Sequence, residues 1–240
     1  MTKRLYAGWD VGGWNCDRNA QSRDALVFLD AAGKILGSPW RGNVRQVINQ
    51  AQTPEQWLVK AGRLCGNSFS GSEVLFMGID TPLSFSRGFI DLIVHHQEAR
   101  AIGGSGENPY LYRETEMFWF RQGLKPLSPV KDMIGSQATK GIHFLAKFAR
   151  TPGEAGLWTN RQRWQVFETY PSGLKKSKIL QEKHFPPELK DGHQDEIDAF
   201  WCALGARVLA QESAQMVGPP ASQNPEPGWI WLPKDLLPDH

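Results

Sequence analysis

Apolar runs separated by short polar breaks dominate the first eighty residues. The runs 5–11 and 25–29 predict two strands, and 30–34 predicts a hairpin turn before a third strand that begins at 35–37. The run 74–79 is apolar throughout, which is typical of a strand covered on both faces in a sheet with parallel pairs. The pattern therefore indicates an antiparallel meander followed by a parallel strand.

The rest of the chain predicts mostly helices. A capping threonine, a proline at the first helical position and a glutamine three residues after the threonine predict a helix over 53–66. Apolar residues recur every three or four positions in 195–212, which predicts a long amphipathic helix. A short strand is predicted at 164–168, and helical spacing also occurs in two further stretches, 113–120 and 131–150. Strands and helices in this order predict an α/β fold.

The domain organisation follows from length and composition. A chain of 240 residues that is 40% hydrophobic can bury a substantial core. We expect one α/β domain over 1–217, with an insertion around 85–160. Residues 218–240 are rich in proline and predict a tail that packs on the domain or extends from it.

Charge and cysteine content exclude several classes of protein. The net charge of +2 gives no electrostatic footprint of a dedicated nucleic-acid-binding module. The chain lacks a signal-like apolar leader and any run of about 20 apolar residues, so we expect a cytoplasmic location and no membrane association. Cys16, Cys65 and Cys202 predict reduced thiols in or near the core, since their number and spacing suit neither a disulfide framework nor a zinc site. The sequence leaves a homodimer open.

The candidate chemistry lies in the acidic residues. Three predicted strands end on a carboxylate, namely Asp10, Asp80 and Glu168. Ligands of open α/β sheets bind outside the carboxyl ends of the strands, so these side chains are expected to converge. Asp195 and Asp198 are three residues apart and lie on one face at the start of the last helix. All five are candidate catalytic residues.

Such a cluster of acids favours a metal site. Carboxylates crowd together only when cations neutralise them, and oxygen ligands select Mg²⁺ or Mn²⁺. Two such ions about 4 Å apart activate a water molecule and stabilise the leaving oxygen in phosphodiester hydrolysis. The predicted metal ligands are Asp10, Asp80, Asp195 and Asp198.

Each candidate also has an ordinary structural interpretation. An aspartate after a strand is commonly a turn residue or a helix cap. Asp195 suits a helix amino terminus on electrostatic grounds, as does its neighbour Glu196. Glu168 is also a candidate acceptor for the turn that follows it. The nearby lysines, Lys175, Lys176 and Lys178, are candidate contacts to a substrate phosphate or simply a solvated face.

Six ordered segments carry a resemblance to a known group of proteins. The segments are GWDVG at 8–12, GIDTPL at 78–83, VFETYP at 166–171, HQDEIDA at 193–199, CAL at 202–204 and GWIWLP at 228–233. Together they resemble the uncharacterised ribonuclease-H-like proteins that are described only as predicted nucleases, and they span almost the whole chain. The chain is also distantly similar to Holliday-junction resolvases, whose final helix supplies two acids three residues apart.

The resemblance implies both a fold and an activity. The implied fold is a mixed five-stranded sheet in the order 3-2-1-4-5, flanked by helices and carrying a helical insertion. Asp10 on the central strand would be the principal metal ligand, and Asp80 would be the acid of the fourth strand, where the resolvases commonly have glutamate. Glu168 has no clear counterpart in the resolvases. The predicted function is that of a Mg²⁺- or Mn²⁺-dependent nuclease with DNA or RNA as substrate.

Two other functions compete with this prediction. Actin-like ATPases and sugar kinases also begin with an aspartate followed by glycines. They need a second phosphate-binding hairpin and an adenosine-binding Gly-Gly segment, which the sequence does not offer. The other alternative is a non-catalytic ribonuclease-H-like binding protein that associates through an aromatic surface.

Overall fold

One mixed sheet organises the molecule in the computed structural model, which describes residues 3–152, 156–160, 163–183, 185–220 and 228–238. Seven strands of the described chain form it in the order β3-β2-β1-β4-β7-β6-β5. They are Arg4–Asp10 (β1), Asp24–Leu29 (β2), Trp40–Gly42 (β3), Val74–Asp80 (β4), Thr151–Pro152 (β5), Trp158–Thr159 (β6) and Trp164–Glu168 (β7). The β1–β4 and β4–β7 pairs are parallel, and the other pairs are antiparallel.

Helices cover both faces of this sheet. In chain order they are Arg45–Gln50 (α1), Pro54–Leu64 (α2), Arg87–His95 (α3), Glu114–Arg121 (α4), Gly135–Phe148 (α5), Pro171–Leu174 (α6), Lys178–Gln181 (α7) and Gln194–Gln211 (α8). None of the helices in the described ranges is long and apolar enough to cross a membrane.

The two faces of β1 pack into separate cores. Leu5, Ala7 and Trp9 point to a core that α2 and α5 complete, and Tyr6 points to the core beneath α8. Successive side chains of a strand point to opposite faces, so a strand covered on both sides must be apolar at nearly every position. This explains the unbroken apolar runs in the sequence.

Two glycines let α8 lie unusually close to the sheet. A Cβ atom added to Gly8 of β1 would lie 1.8 Å from the carbonyl oxygen of Ala199, and one added to Gly78 of β4 would lie 2.6 Å from that of Cys202. The helix runs antiparallel to β1, since Gly8 meets Ala199 while Tyr6 receives a hydrogen bond from Gln211. The amino end of α8 therefore lies at the carboxyl ends of β1 and β4.

The α/β class with a mixed sheet and helices is confirmed, but the predicted five-stranded sheet in the order 3-2-1-4-5 is not. β5 and β6, of two residues each, extend the sheet beyond β7 and arise from the stretch expected to be an insertion. The third strand begins later than predicted, because Ile35 makes only an isolated bridge to Leu29. Gly37, at φ +70°, and Pro39 then interrupt the ladder before β3.

The described part of the predicted tail packs against the domain. Trp229, Ile230, Trp231 and Leu232 are all buried. Ile230 bridges to Glu168 of β7, and Leu232–Pro233 (β9) pairs with Met216–Val217 (β8). The other part of that tail, 221–227 and 239–240, lies outside the described residues. The three cysteines are free and buried, as predicted.

Candidate functional site

Asp10 and Asp80 lie side by side at the carboxyl ends of β1 and β4. They are register partners in the parallel ladder, and adjacent strands lie about 4.8 Å apart. Each is two residues after a glycine, Gly8 or Gly78, whose Cβ position faces α8. Because side chains alternate along a strand, both carboxylates also point to the α8 side of the sheet.

The acids of this site perturb one another. Burial, followed by the negative charges of Asp80 and Asp198, raises the pKa of Asp10 well above its ordinary value. Burial raises the pKa of Asp80 to about 8, and the charges of Asp198 and Glu168 act in the same direction. Asp10 and Asp80 thus share a buried, negatively charged space with Asp198.

The two strand-end carboxylates have no salt-bridge partner in the part of the chain that the structure describes. Among the described residues, neither Asp10 nor Asp80 accepts a hydrogen bond or forms a salt bridge through its side chain. Their oxygen donors suit Mg²⁺ or Mn²⁺ chemically. Within the same residues, however, no three His, Cys, Asp or Glu side chains are arranged to hold a metal ion. The donor chemistry thus fits a divalent cation, although the side chains do not surround a common point.

The two acids of α8 have partners of their own. Asp195 Oδ2 accepts hydrogen bonds from Arg41 Nε at 2.7 Å and from the backbone N–H of Arg23 at 2.9 Å. Asp198 contacts the ammonium of Lys175 and accepts from Gln194 Nε2 at 3.0 Å. Asp195 is therefore tied to β3 and to the loop that precedes β2, whereas Asp198 remains part of the charged cluster beside Asp10 and Asp80.

Helix capping at this end of α8 does not depend on Asp195. His193 is the cap residue, and its Nδ1 accepts from the backbone N–H of Asp195 at 3.2 Å. Glu196 Oε2 in turn accepts from the backbone N–H of His193 at 3.0 Å. His193 and Glu196, and not Asp195, therefore cap the amino end of α8.

Glu168 takes part in a buried ion network next to the strand-end acids. Its carboxylate accepts from Arg113 Nη1 at 2.7 Å and Nη2 at 2.5 Å, and from the backbone N–H of Leu83 at 2.8 Å. Arg113 also binds Glu116, and all three charged side chains are almost fully buried. The oxygens of Glu168 are consequently engaged, unlike those of Asp10 and Asp80.

The structure brings one of the three predicted phosphate-binding lysines to the acids. Lys175 contacts Asp198, and its charge lowers the pKa of Asp80. Lys176 and Lys178 are exposed, and Lys178 begins the short helix α7.

A buried lysine that the sequence did not single out fixes the chain after Asp10. Lys140 Nζ forms an ion pair with Asp24 at 2.5 Å and donates to the carbonyl oxygens of Gly12 and Gly13 at 3.2 and 3.3 Å. Asp24 also accepts from the backbone N–H of Gly12 at 2.9 Å. One feature of the sequence could have pointed to Lys140, which stands four residues before the core residue Phe144 and therefore lies on the same face of α5.

A cavity of about 310 Å³ opens beside Asp10 and Asp80. Its walls include three further residues that sequence reasoning missed, Thr81, Gln137 and Tyr170. Thr81 could have been predicted as a wall residue, because it directly follows Asp80. Gln137 comes from α5, far away in sequence, and no pattern in the chain pointed to it.

No protein family profile matches the chain, and comparison with curated proteins and with solved structures also finds no match.

The pKa of Asp80 makes the stability of the protein depend on pH. The unfolded chain releases this proton near the ordinary value of 3.8, whereas the folded protein holds it up to about 8. Between these values the unfolded state binds fewer protons, so the stability contributed by Asp80 falls as the pH rises. Replacing Asp80 with asparagine removes that loss.

We expect Asp80→Asn to be about 2 kcal/mol more stable than the wild type at pH 9 in EDTA, with little difference at pH 4. Thermal denaturation across this pH range measures the effect. Parallel pH profiles for the two proteins would contradict the assignment of a raised pKa to Asp80.

Proposed function

We propose that the protein is a divalent-metal-dependent phosphodiesterase that acts on nucleic acid. The observation that carries this proposal is the pair of carboxylates, Asp10 and Asp80, which lie at the ends of parallel strands next to Asp198 and have no salt-bridge partner among the described residues. Such a pair is unfavourable in the free protein, because burial and mutual repulsion both oppose ionisation. A divalent cation removes that penalty.

Asp10 and Asp80 would hold the metal, and the charge of Asp198 acts on both of them. When bound, Mg²⁺ or Mn²⁺ supplies charge stabilisation and activation of water for attack on phosphorus. Lys175, now in contact with Asp198, is placed to exchange that carboxylate for a substrate phosphate. Asp195 would position α8 through its bond to Arg41.

We also propose that the fold is ribonuclease-H-like. It is supported by a meander of β1, β2 and β3 that continues into the parallel strands β4 and β7, with an acid at the end of β1, β4 and β7. Function on that fold still depends on the site, so the carboxylates carry the argument.

The test compares wild type with Asp10→Asn. We expect wild type to bind Mg²⁺ or Mn²⁺ and to cleave at least one of junction DNA, single strands, RNA and RNA–DNA hybrid, with cleavage reduced at least about 10³-fold in the variant. Calorimetry measures the ion, and end-labelled substrates on denaturing gels measure cleavage. Asp91→Asn on α3, outside the cavity, makes the same chemical change and should cleave like wild type.

Two outcomes would contradict the proposal. One is a wild-type protein that binds no divalent ion at millimolar concentration and cleaves none of these substrates. The other is Asp10→Asn with unchanged metal-dependent cleavage. ATP hydrolysis measured in parallel would reveal the kinase-like alternative instead.

A further inference from the structure

A buried cysteine in the loop after β1 lies next to the buried lysine of α5. Cys16 is 3% exposed and Lys140 is fully buried, and Nζ of the lysine lies 3.8 Å from Sγ of the cysteine. Asp24 completes the group, since its Oδ2 lies 2.5 Å from Nζ and 3.6 Å from Sγ. A thiol, an amine and a carboxylate therefore meet in one small space, and the proposed metal chemistry uses none of them.

The amine of Lys140 is held in place beside the sulfur. Its Nζ also donates to the carbonyl oxygens of Gly12 and Gly13 at 3.2 and 3.3 Å, and to Oδ1 of Asn43 at 3.2 Å. These acceptors come from two separate segments of the chain and surround the nitrogen. Two groups that are held in contact in this way react faster than the same groups free in solution.

The other two cysteines lack such a partner. Burial raises the pKa of Cys65 to about 12. Burial also raises the pKa of Cys202 well above its ordinary value, and the charge of Asp80 acts in the same direction. In the part of the chain that the structure describes, no lysine donates a hydrogen bond to either sulfur. Cys16 thus differs from two buried thiols of the same chain by the amine beside it.

From this geometry we infer that Cys16 and Lys140 form a redox-modification site, at which a hydroperoxide such as hydrogen peroxide joins them through a sulfur–nitrogen bond. Cys16 begins a single 3₁₀ turn, Cys16–Arg18, in which Asp17 and Arg18 are exposed. Local opening of so short a surface segment admits an oxidant of this size. The bond would tie the loop after β1 covalently to α5.

The reaction has two steps. In the first, the thiol of Cys16 takes one oxygen atom from hydrogen peroxide, so the sulfur is oxidised to a sulfenic acid and the peroxide is reduced to water. In the second, the ammonium of Lys140 passes a proton to the carboxylate of Asp24, and the neutral amine attacks the sulfur. The bond from sulfur to the hydroxyl breaks, and the hydroxyl leaves with one amine hydrogen as water. The sulfenamide product has two hydrogen atoms fewer than the reduced protein.

The surroundings of the three groups suit this sequence of steps. Burial raises the pKa of Asp24, although the charge of Lys140 lowers it, so this carboxylate is a suitable acceptor for the ammonium proton. Burial and the charge of Asp24 also raise the pKa of Cys16. Little thiolate is therefore present at neutral pH, and we expect the first step to need excess peroxide.

Peptide mass spectrometry of the wild-type protein tests the inference. The protein is treated with excess hydrogen peroxide, freed of peroxide, denatured, alkylated with iodoacetamide and digested. We expect a cross-linked pair of peptides that contains Cys16 and Lys140 and lacks two hydrogen atoms, and alkylation of Cys16 at least about tenfold lower than in untreated protein. Dithiothreitol should restore both the thiol and the free amine. Cys65 is the internal control and should be alkylated equally in both samples.

Two matched variants, Cys16→Ser and Cys65→Ser, each remove one buried sulfur. The first should form no cross-link to Lys140, and the second should form it as the wild type does. Met133 is 88% exposed, so its conversion to the sulfoxide shows that the peroxide has acted.

Two results would overturn the inference. One is a Cys16 that remains fully alkylated after Met133 has been oxidised. The other is oxidation of Cys16 to sulfinic or sulfonic acid while trypsin still cleaves after Lys140, which shows that the amine is free. Both results leave the proposed phosphodiesterase untouched, because the test uses neither metal nor nucleic acid.

Discussion

Arg113→Met is expected to lower the free energy of unfolding by about 3–5 kcal/mol. The guanidinium is almost fully buried and binds the carboxylates of Glu116 and Glu168. It also donates to Ser84 Oγ at 3.1 Å. Methionine fills much of the volume but leaves two buried acids without a cation, and each must then ionise at high cost or take up a proton. Urea denaturation at pH 7.5 measures the loss.

Two controls separate the charge effect from packing. Arg121→Met, at an exposed position of α4, should change stability by no more than about 0.5 kcal/mol. Adding Glu116→Gln and Glu168→Gln to Arg113→Met should restore part of the stability, because neutral amides no longer need a cation. A loss below about 1 kcal/mol in Arg113→Met would show that the ion network does not hold this region together.

Gly8→Ala is expected to cost about 4 kcal/mol or more, or to prevent folding. The added methyl would lie 1.8 Å from the carbonyl oxygen of Ala199 and 2.4 Å from the backbone nitrogen of Ala203. Both contacts are to the backbone of α8, so the whole helix must move away from β1. In a variant that folds, the movement carries Asp198 away from Asp10, so divalent-ion affinity should fall together with stability.

Gly104→Ala is the matched control, since an added Cβ there meets nothing within 4 Å. Gly104→Ala should keep the stability and metal affinity of the wild type, whereas Gly8→Ala should lose both. Denaturation and metal titration measure the difference. Wild-type stability and metal affinity in Gly8→Ala would mean that the close approach of α8 to β1 is unimportant.

The sequence predicted the parts of the fold that repeat a local pattern. β1, β2, β4, β7, α2 and α8 follow from apolar periodicity and helix caps. Asp10, Asp80 and Asp198 could be predicted as neighbours because strand ends and a helix start are recognisable locally. Their arrangement also needs Gly8 and Gly78, whose close contact with α8 only the folded structure reveals.

Features that depend on distant pairing could not be predicted. The ion pair of Lys140 with Asp24 joins residues that are 116 positions apart, and the bond of Arg113 to Glu168 joins residues 55 apart. β5 and β6 are only two residues long, too short for a periodic signal. The ion pair of Glu168 with Arg113 is therefore visible only in the folded structure.

The buried segment at 229–232 has a consequence for biosynthesis. Ile230 lines the cavity, its carbonyl oxygen accepts from Trp119 Nε1 at 2.9 Å, and Trp231 donates its backbone N–H to Glu168 at 2.9 Å. These residues emerge from the ribosome after every strand of the main sheet has been made. A nascent chain can therefore pair β1 with β4 and β4 with β7 well before the cavity has all of its walls, so the site is completed only after residues 229–232 have been made.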